Sequence, residues 1–404
     1  MNPLAAVFGG PGDSAGLLTR LRWRLRGGAS VAALAAARTL ARRGEHEAAA
    51  QSLRRAQAAS PDDPDLALTA AALVRYGFTP RAEAEALLRG LLARPVRSGL
   101  RAAARRALFE LVWERGGGAA DLAGHARAIL AEPRVSAPMA LRAAAALVAA
   151  NCADEAAEAA RLLRCRAPDA LARTGYLELL LALRVRGFRD LRRAETAARV
   201  ADALAAVDGM FDRLVAEDPG GVALVANGPD LAGRGLGPTI DARRLVVRFN
   251  AFPDDPADHG RRTDVWMRPH DDAFVPLQAP PGVRLVVATG CDLRFRFGDA
   301  TQRLEKLLDL GAALVTVPTG LYHCLFARLE AAPSVGLIGL AWAARASGGR
   351  LDAGSAFGYA LHRNSTSVSR YHDRIVVGRK PGRHNWHAEH AMHQTLLSRP
   401  EAIA

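Results

Sequence analysis

Four histidines, His384, His387, His390 and His393, crowd the end of the chain around Glu389, and a fifth, His372, lies upstream beside Tyr371. Imidazole is the side chain that changes charge near neutral pH. One such ring can take a proton from a reacting hydroxyl while a second, protonated, offsets anionic charge. Placement on the surface of a polar helix is the competing reading for most of the cluster. Two short apolar runs end in polar residues suited to a ligand: Ala226-Asn227-Gly228-Pro229-Asp230 and Arg248-Phe249-Asn250. A side-chain amide there offers a donor and an acceptor together, which suits the edge of a base or a ribose. Ser334 precedes an apolar helical run opened by Val335 and Gly336, and a serine cap followed by unpaired N–H groups is a ready anion site. Trp266 and His270 follow a third apolar run, where they either line an acceptor or pack and cap a loop.

Gly233, Gly235 and Gly237 form a glycine-rich turn after the first run, which lets backbone N–H groups approach a phosphate or ribose. They fall well past the end of the run, and the second run closes on Asn250 rather than an acid. Both features argue against a dinucleotide fingerprint. Asp254-Asp255 and Asp271-Asp272 sit in loops near prolines and read as solvated turns, so no metal is expected.

Elements of two kinds must position these residues. From 31 to 205 apolar residues recur at helical spacing, and Gly and Pro are confined to breaks. The breaks at Gly44, Gly77, Gly116 and Asn151, and at Pro61, Pro95, Pro133 and Pro168, step by roughly 33–40 residues, the period of a helix–turn–helix array. The clearest unit, 32–65, resembles a tetratricopeptide unit, so 31–205 is read as an all-α helical-repeat domain. It either binds a protein partner in its groove or serves as a platform. After a last helix over 207–217 the rhythm changes. Apolar runs at 222–226, 244–250, 263–269, 284–290 and 312–318 predict buried strands, with helices over 301–310, 334–346 and 387–398 and an edge strand over 374–379. Strands alternating with helices predict an α/β doubly wound, mainly parallel sheet over 206–404. Its ligands belong at the carboxyl ends of the strands. Residues 1–30 form an N-terminal segment whose stretch 17–26, carrying Trp23, is basic and amphipathic. It reads as a helix packed on its neighbour, with peripheral membrane contact as the alternative.

The formal charge of +13 comes almost wholly from arginine, with lysine only at Lys306 and Lys380. The arginines are scattered among acids along the helices instead of forming a tract, which argues against a nucleic-acid partner. Cys152, Cys165, Cys291 and Cys324 form no metal-spaced pairs and read as free thiols of a reducing compartment. No run approaches the ~20 apolar residues of a membrane span. The protein is accordingly expected to be cytoplasmic, with contact at the inner membrane surface as the variant.

The stretch VALVANGPDLAGRGLGPTIDARRLVVRFN, residues 222–250, resembles the large motif of the sialyltransferase family of glycosyltransferases, family 29. Pro333-Ser334-Val335-Gly336 with Phe357-Gly358 is similar to the small motif, and Tyr371-His372 to the short third one. His384-Asn385-Trp386-His387-Ala388-Glu389 reproduces the His-x4-Glu pattern of the fourth. The four stand in the family's order. The resemblance implies a Rossmann-like domain of the glycosyltransferase A-variant, acting as an inverting, metal-independent enzyme. It would use no cofactor beyond its donor substrate, a CMP-activated acidic sugar of sialic acid or Kdo type, and a glycan or glycolipid as acceptor. It implies that Asn227, Gly228, Asp230, Asn250, Ser334, Gly336 and Glu389 lie at the donor, that His372 stabilises the departing phosphate and that His384 is the general base. His387 is the alternative base, and Trp266 and His270 are acceptor-side candidates. Asp230 departs from the Asn or Ser usual in the family. The disulfide that joins large and small motifs in the animal enzymes has no counterpart, which fits a bacterial relative. The competing functional reading is a non-catalytic helical-repeat interaction module with a degenerate nucleotide-sugar domain. A different nucleotide-dependent enzyme on the same sheet comes third.

Overall fold

The computed structural model describes residues 29–43, 46–59, 63–74, 80–270, 275, 277–290, 293–351, 353–359 and 384–398. The stretch 17–26, the pair Asp271-Asp272, Cys291, the expected strand over 374–379 and the Tyr371-His372 pair lie outside them. The chain divides into two compact units at Leu111.

The first unit contains α1 (Ala29–Arg43), α2 (His46–Ala59), α3 (Pro64–Val74), α4 (Arg81–Leu92) and most of α5 (Ser98–Glu114). Sequence neighbours pack together, α1 on α2 and α3 on α4, through buried small and branched residues such as Ala37, Ala49, Leu53, Leu73 and Leu88. Alanines at the contacts let helix backbones approach closely. Ser52 spends its hydroxyl on the Ala33 carbonyl at 2.9 Å.

The second unit opens with helices α6 (Ala119–Leu130), α7 (Ala137–Ala149), α8 (Ala153–Arg166), α9 (Pro168–Ala172), α10 (Leu177–Val185) and α11 (Ala194–Ala206). α11 ends before Gly209, whose left-handed φ of 66° redirects the chain into α12 (Met210–Glu217). The α/β part follows: β1 (Val222–Val225), α13 (Gly237–Asp241), β2 (Leu245–Phe249), α14 (Pro256–His259), β3 (Val265–Pro269), β4 (Leu285–Thr289), α15 (Leu293–Arg296), α16 (Ala300–Leu308), β5 (Ala313–Thr316), α17 (Thr319–Leu329), α18 (Val335–Ala346), β6 (Ala356–Phe357) and α19 (Trp386–Ser398). Helices of the first stretch dock directly on the second. α11 packs on α16 and β5, and α7 and α10 pack on α15. Arg199 adds ion pairs to Glu305 at 2.6 Å and Asp309 at 3.4 Å. No described helix is long and apolar enough to cross a membrane.

Among the described residues, six strands form one parallel sheet, in the order β5-β4-β3-β2-β1-β6. Side chains alternate across the sheet, and both faces are covered, which is why the strands read as continuous apolar runs. Val222, Leu224, Leu245, Val247, Phe249, Val265 and Met267 share the face packed by α12, α17, α18 and α19. Ala223, Val225 and Val246 face the α13 side with Leu231 and Ile240. Phe211 of α12 meets Trp342 of α18 at 4.5 Å between ring centroids, and the Trp342 indole donates to Asp212 at 3.0 Å. The five expected strands all form, each shorter than its apolar run. β6 was not foreseen, because two residues carry no periodic signal and become a strand only by pairing with Leu224 and Val225. From β1 to β5 the chain steps steadily one way, and then it returns past β1 to make β6. The strand order therefore reverses between β1 and β6, the place where open parallel sheets bind ligands at the carboxyl ends of the strands.

Gly339 sets how closely α18 lies on that part of the sheet. A Cβ there would overlap the Phe249 ring and come within 2.9 Å of the Met267 sulfur. Gly339→Ala gains about 1 kcal/mol of helix propensity, but overpacking costs about 1–3 kcal/mol. The substitution should lower the urea midpoint at unchanged m-value; a midpoint above wild type would show that α18 has slack at this contact.

Candidate functional site

The site at the carboxyl ends of β1 and β6 is built first from backbone. Ala226 donates its N–H to the Phe357 carbonyl at 2.8 Å, and Gly228 donates to the Gly358 carbonyl at 2.7 Å. A Cβ on Gly228 would overlap that Gly358 oxygen. A Cβ on Gly358, whose φ is +70°, would overlap the Ala226 oxygen. Both positions need glycine, and the exits of β1 and β6 run in contact because they have it. Asn227 then bridges to β2, its amide nitrogen donating to the carbonyls of Phe249 at 3.1 Å and Ala251 at 2.9 Å. Those bonds bracket Asn250, which sits in the left-handed region at φ 57°, a conformation asparagine tolerates. Asn250 gives its N–H to Met267 and accepts from the Trp266 indole at 2.7 Å. The side-chain oxygens of Asn227 and Asn250 are both buried and have no hydrogen-bond partner.

The start of α18 joins these exits through Tyr359, the residue after Gly358. Ser334 is its cap, with the hydroxyl accepting from the Leu337 N–H at 3.2 Å. The Ser334 N–H donates to Glu389 Oε1 at 2.9 Å, and Glu389 is wholly buried. The N–H groups of Val335 and Gly336 lie in the first turn, where no intrahelical acceptor exists. The Gly336 carbonyl accepts from the Tyr359 hydroxyl at 3.1 Å. The Tyr359 ring stands edge-on to Phe249 at 6.1 Å and is stacked on His393 at 4.9 Å. Asn227, Gly228, Asn250, Ser334, Gly336 and Glu389 thus belong to one connected cluster.

Asn385 caps α19, its side-chain oxygen accepting from Ala388 at 3.2 Å while its amide donates to the Leu329 carbonyl at 3.1 Å. His384, just before this cap, is half-buried and groups with the first compact unit, whereas Asn385 belongs to the second. His372 lies outside the described residues. Glu389, expected at the donor, commits one oxygen to the Ser334 backbone and so fixes α18 against α19.

The glycine-rich turn behaves differently from its expectation. Gly235 donates its N–H to Asp258 Oδ1 at 2.7 Å, and Gly233 donates to Asp258 Oδ2. Both donors expected to face a ligand are committed to a carboxylate of the chain itself. Gly237 lies against the Pro256 carbonyl, and Asp255 caps α14, so the turn is fastened to that short helix. Wholly buried Arg248 holds α14 from below, donating to the carbonyls of Arg262 at 2.9 Å and His259 at 2.5 Å. Burial pushes its pKa down to about 10. Asp258 carried no sequence signal as a turn organiser, since its partners lie more than twenty residues away. Asp230 sits half-buried in the turn Pro229–Leu231, and its charge raises the proton affinity of both His259 and His393.

The acceptor-side candidates are spread out. Trp266 is 2% exposed, holds the Asn250 carbonyl and lies under the Arg268 guanidinium at 4.7 Å, which makes it a support for Asn250. His270 is two strands away from this site, with Nδ1 3.0 Å from the Thr289 carbonyl and its ring 4.5 Å from that of Phe297. His393 carries no distinguishing signal in the sequence, because four histidines on one polar stretch look alike until the helix is docked.

Asp258 links this geometry to pH. The N–H groups of Gly235 and Gly233 hold its carboxyl below the ordinary 3.8. A carboxyl lowered in the folded state stabilises above its unfolded pKa, and that stability is lost as pH falls through the folded value. Asp258→Asn should therefore lower the urea midpoint at pH 7. The deficit should shrink below about pH 3.9, and a deficit that persists unchanged into acid would rule the carboxylate out as its source. No protein-family model, no curated protein and no solved structure matches the chain.

Proposed function

We propose that the chain is an inverting glycosyltransferase that moves an acidic sugar of sialic acid or Kdo type from a CMP donor to a hydroxyl of a glycan or glycolipid. The single observation that carries the reading is the pair of buried amide oxygens, Asn227 Oδ1 and Asn250 Oδ1, left without partners beside the start of α18 where the strand order reverses. Ribose hydroxyls and the cytosine amino group are donors that would complete them, and the first-turn N–H groups of α18 suit a phosphate. The four-motif resemblance supplies the sugar class and the histidine roles.

In the reaction, His384 takes the proton of the acceptor hydroxyl as that oxygen bonds to the anomeric carbon. The bond from that carbon to the phosphate oxygen breaks on the opposite face, and CMP leaves with the electron pair. The configuration inverts. His372 offsets the charge gathering on the leaving phosphate, and His387 is the alternative base. The α/β part is taken as a glycosyltransferase A-variant, and the N-terminal helices as a tetratricopeptide-like array offering a groove to a protein partner. The setting is taken as cytoplasmic, with peripheral contact at the inner membrane surface as the alternative.

CMP release measured over a panel of CMP-sugars, CMP-sialic acid and CMP-Kdo included, should find one donor that turns over. His384→Ala should slow it by at least about a hundredfold, the scale of a lost general base. If no CMP-sugar binds or turns over, the reading is wrong. Asn250→Gly keeps the left-handed backbone and removes only the amide. CMP should protect wild type against thermal unfolding and leave this variant unprotected, with the ligand-free melting temperatures close together; equal protection would remove Asn250 from the donor site.

A further inference from the structure

Glu389 and His393 lie four residues apart on α19, so both side chains leave the same face of the helix. Glu389 meets the Ser334 N–H. His393, 5% exposed, lies flat on Tyr359 with 17° between the rings, and the Tyr359 hydroxyl is bonded to Gly336 in the first turn of α18. Tyr359 thereby links the imidazole to the start of that helix. Both of its ring nitrogens are buried, and neither has a hydrogen-bond partner. Buried polar groups in native proteins are rarely left so. Stacking on Tyr359 does not call for histidine, since phenylalanine would stack there without orphaning two nitrogens. On the far side of Tyr359 lies the positive end of the α18 dipole with its first-turn N–H groups. The chemistry that satisfies an N–H donor and a helix start together is a phosphate oxygen.

We propose that His393 is a donor-binding residue whose imidazole N–H hydrogen-bonds a phosphate oxygen of a nucleotide seated on the first turn of α18. The proposal rests on the reading of this site as a CMP-sugar pocket and adds a contact to it. Among the described residues, the titratable groups around the ring are Tyr359, Glu389 and His390, with Asp230 from the turn after β1. Burial, with a smaller push from His390, takes its pKa down to about 4, and Asp230 opposes them. At neutral pH the ring is thus a neutral donor. Asp230, an acid where the family has Asn or Ser, repels phosphate, and its pull toward a protonated ring does not overcome the burial that keeps the ring neutral.

Titration calorimetry with CMP and, separately, with inorganic phosphate tests this on wild type, His393→Phe and His393→Gln. Phenylalanine keeps the stack without the donor, and glutamine keeps a donor N–H without the aromatic ring. His393→Phe should weaken CMP binding by about 10- to 100-fold, the scale of a hydrogen bond to a charged group. It should raise KM for the CMP-sugar with kcat little changed, and its ligand-free melting temperature should be no lower than wild type. His393→Gln should recover most of the affinity, and phosphate should rank the three proteins alike. The proposal is overturned if His393→Phe binds CMP as wild type does, or if both variants lose affinity only in step with a fall in melting temperature. Should wild type bind phosphate but not CMP, the CMP-sugar reading fails by itself. His393 is then judged by phosphate alone, sustained if His393→Phe binds it more weakly and overturned if the two bind equally. Absence of binding to both probes overturns the two together.

Discussion

Two strand exits run side by side without room for a side chain between them, and the candidate site follows from that contact. Gly228 and Gly358 let the backbones leaving β1 and β6 share a hydrogen bond at 2.7 Å. Because of it Asn227 is set beside β2, and Tyr359, next after Gly358, is carried over to the first turn of α18. Larger residues at either glycine would force the exits apart and separate Asn227 and Asn250 from Ser334. The contact falls where the sheet reverses its strand order, the place where open parallel sheets bind their ligands.

Around this frame, polar groups divide into those bonded within the chain and those left open. The Gly233 and Gly235 N–H groups go to Asp258, the Ser334 N–H to Glu389, the Ser334 hydroxyl to Leu337 and the Trp266 indole to Asn250. Each of these bonds fixes an element. The side-chain oxygens of Asn227 and Asn250 and both nitrogens of His393 remain open and buried. A site of this make, a rigid internally bonded shell with a few convergent unpaired polar atoms, suits recognition of a polar ligand by shape and hydrogen bonding. It also reassigns residues. Asp258 and Trp266 shape the site from behind, while His393, one of four similar histidines by sequence, becomes part of its wall.

Much of the scaffold was legible from residue order. Buried parallel strands must be apolar throughout, so β1 to β5 announce themselves as short runs of Val, Leu and Ala between turn residues. α18 was readable from Ser334 ahead of an apolar stretch, because helix caps are local chemistry. The alanine-rich stretch ahead of β1 reads as helix for the same reason, since periodicity needs only near neighbours. Asn227, Gly228 and Asn250 read as site residues because they follow strand ends, and strand ends in this architecture face ligands.

What residue order left open depends on partners distant in sequence. β6 is two residues long and is a strand only because Leu224 and Val225 stand beside it. The role of the glycine-rich turn was decided by Asp258, which claims donors that would otherwise face solvent or ligand. His390 and His393 differ by less than one helical turn, and only the docking of α19 on α18 decides which of them is sealed against Tyr359. Likewise, α11 forms from its own periodicity but joins the sheet's compact unit through α16 and β5. Local propensity acts over a few residues, whereas burial and hydrogen-bond pairing are settled only when distant segments meet. The sequence by itself therefore determined the apolar strands β1 to β5, the cap of α18 and the strand-end residues, and the tertiary structure decided β6 and which polar groups are left unpaired.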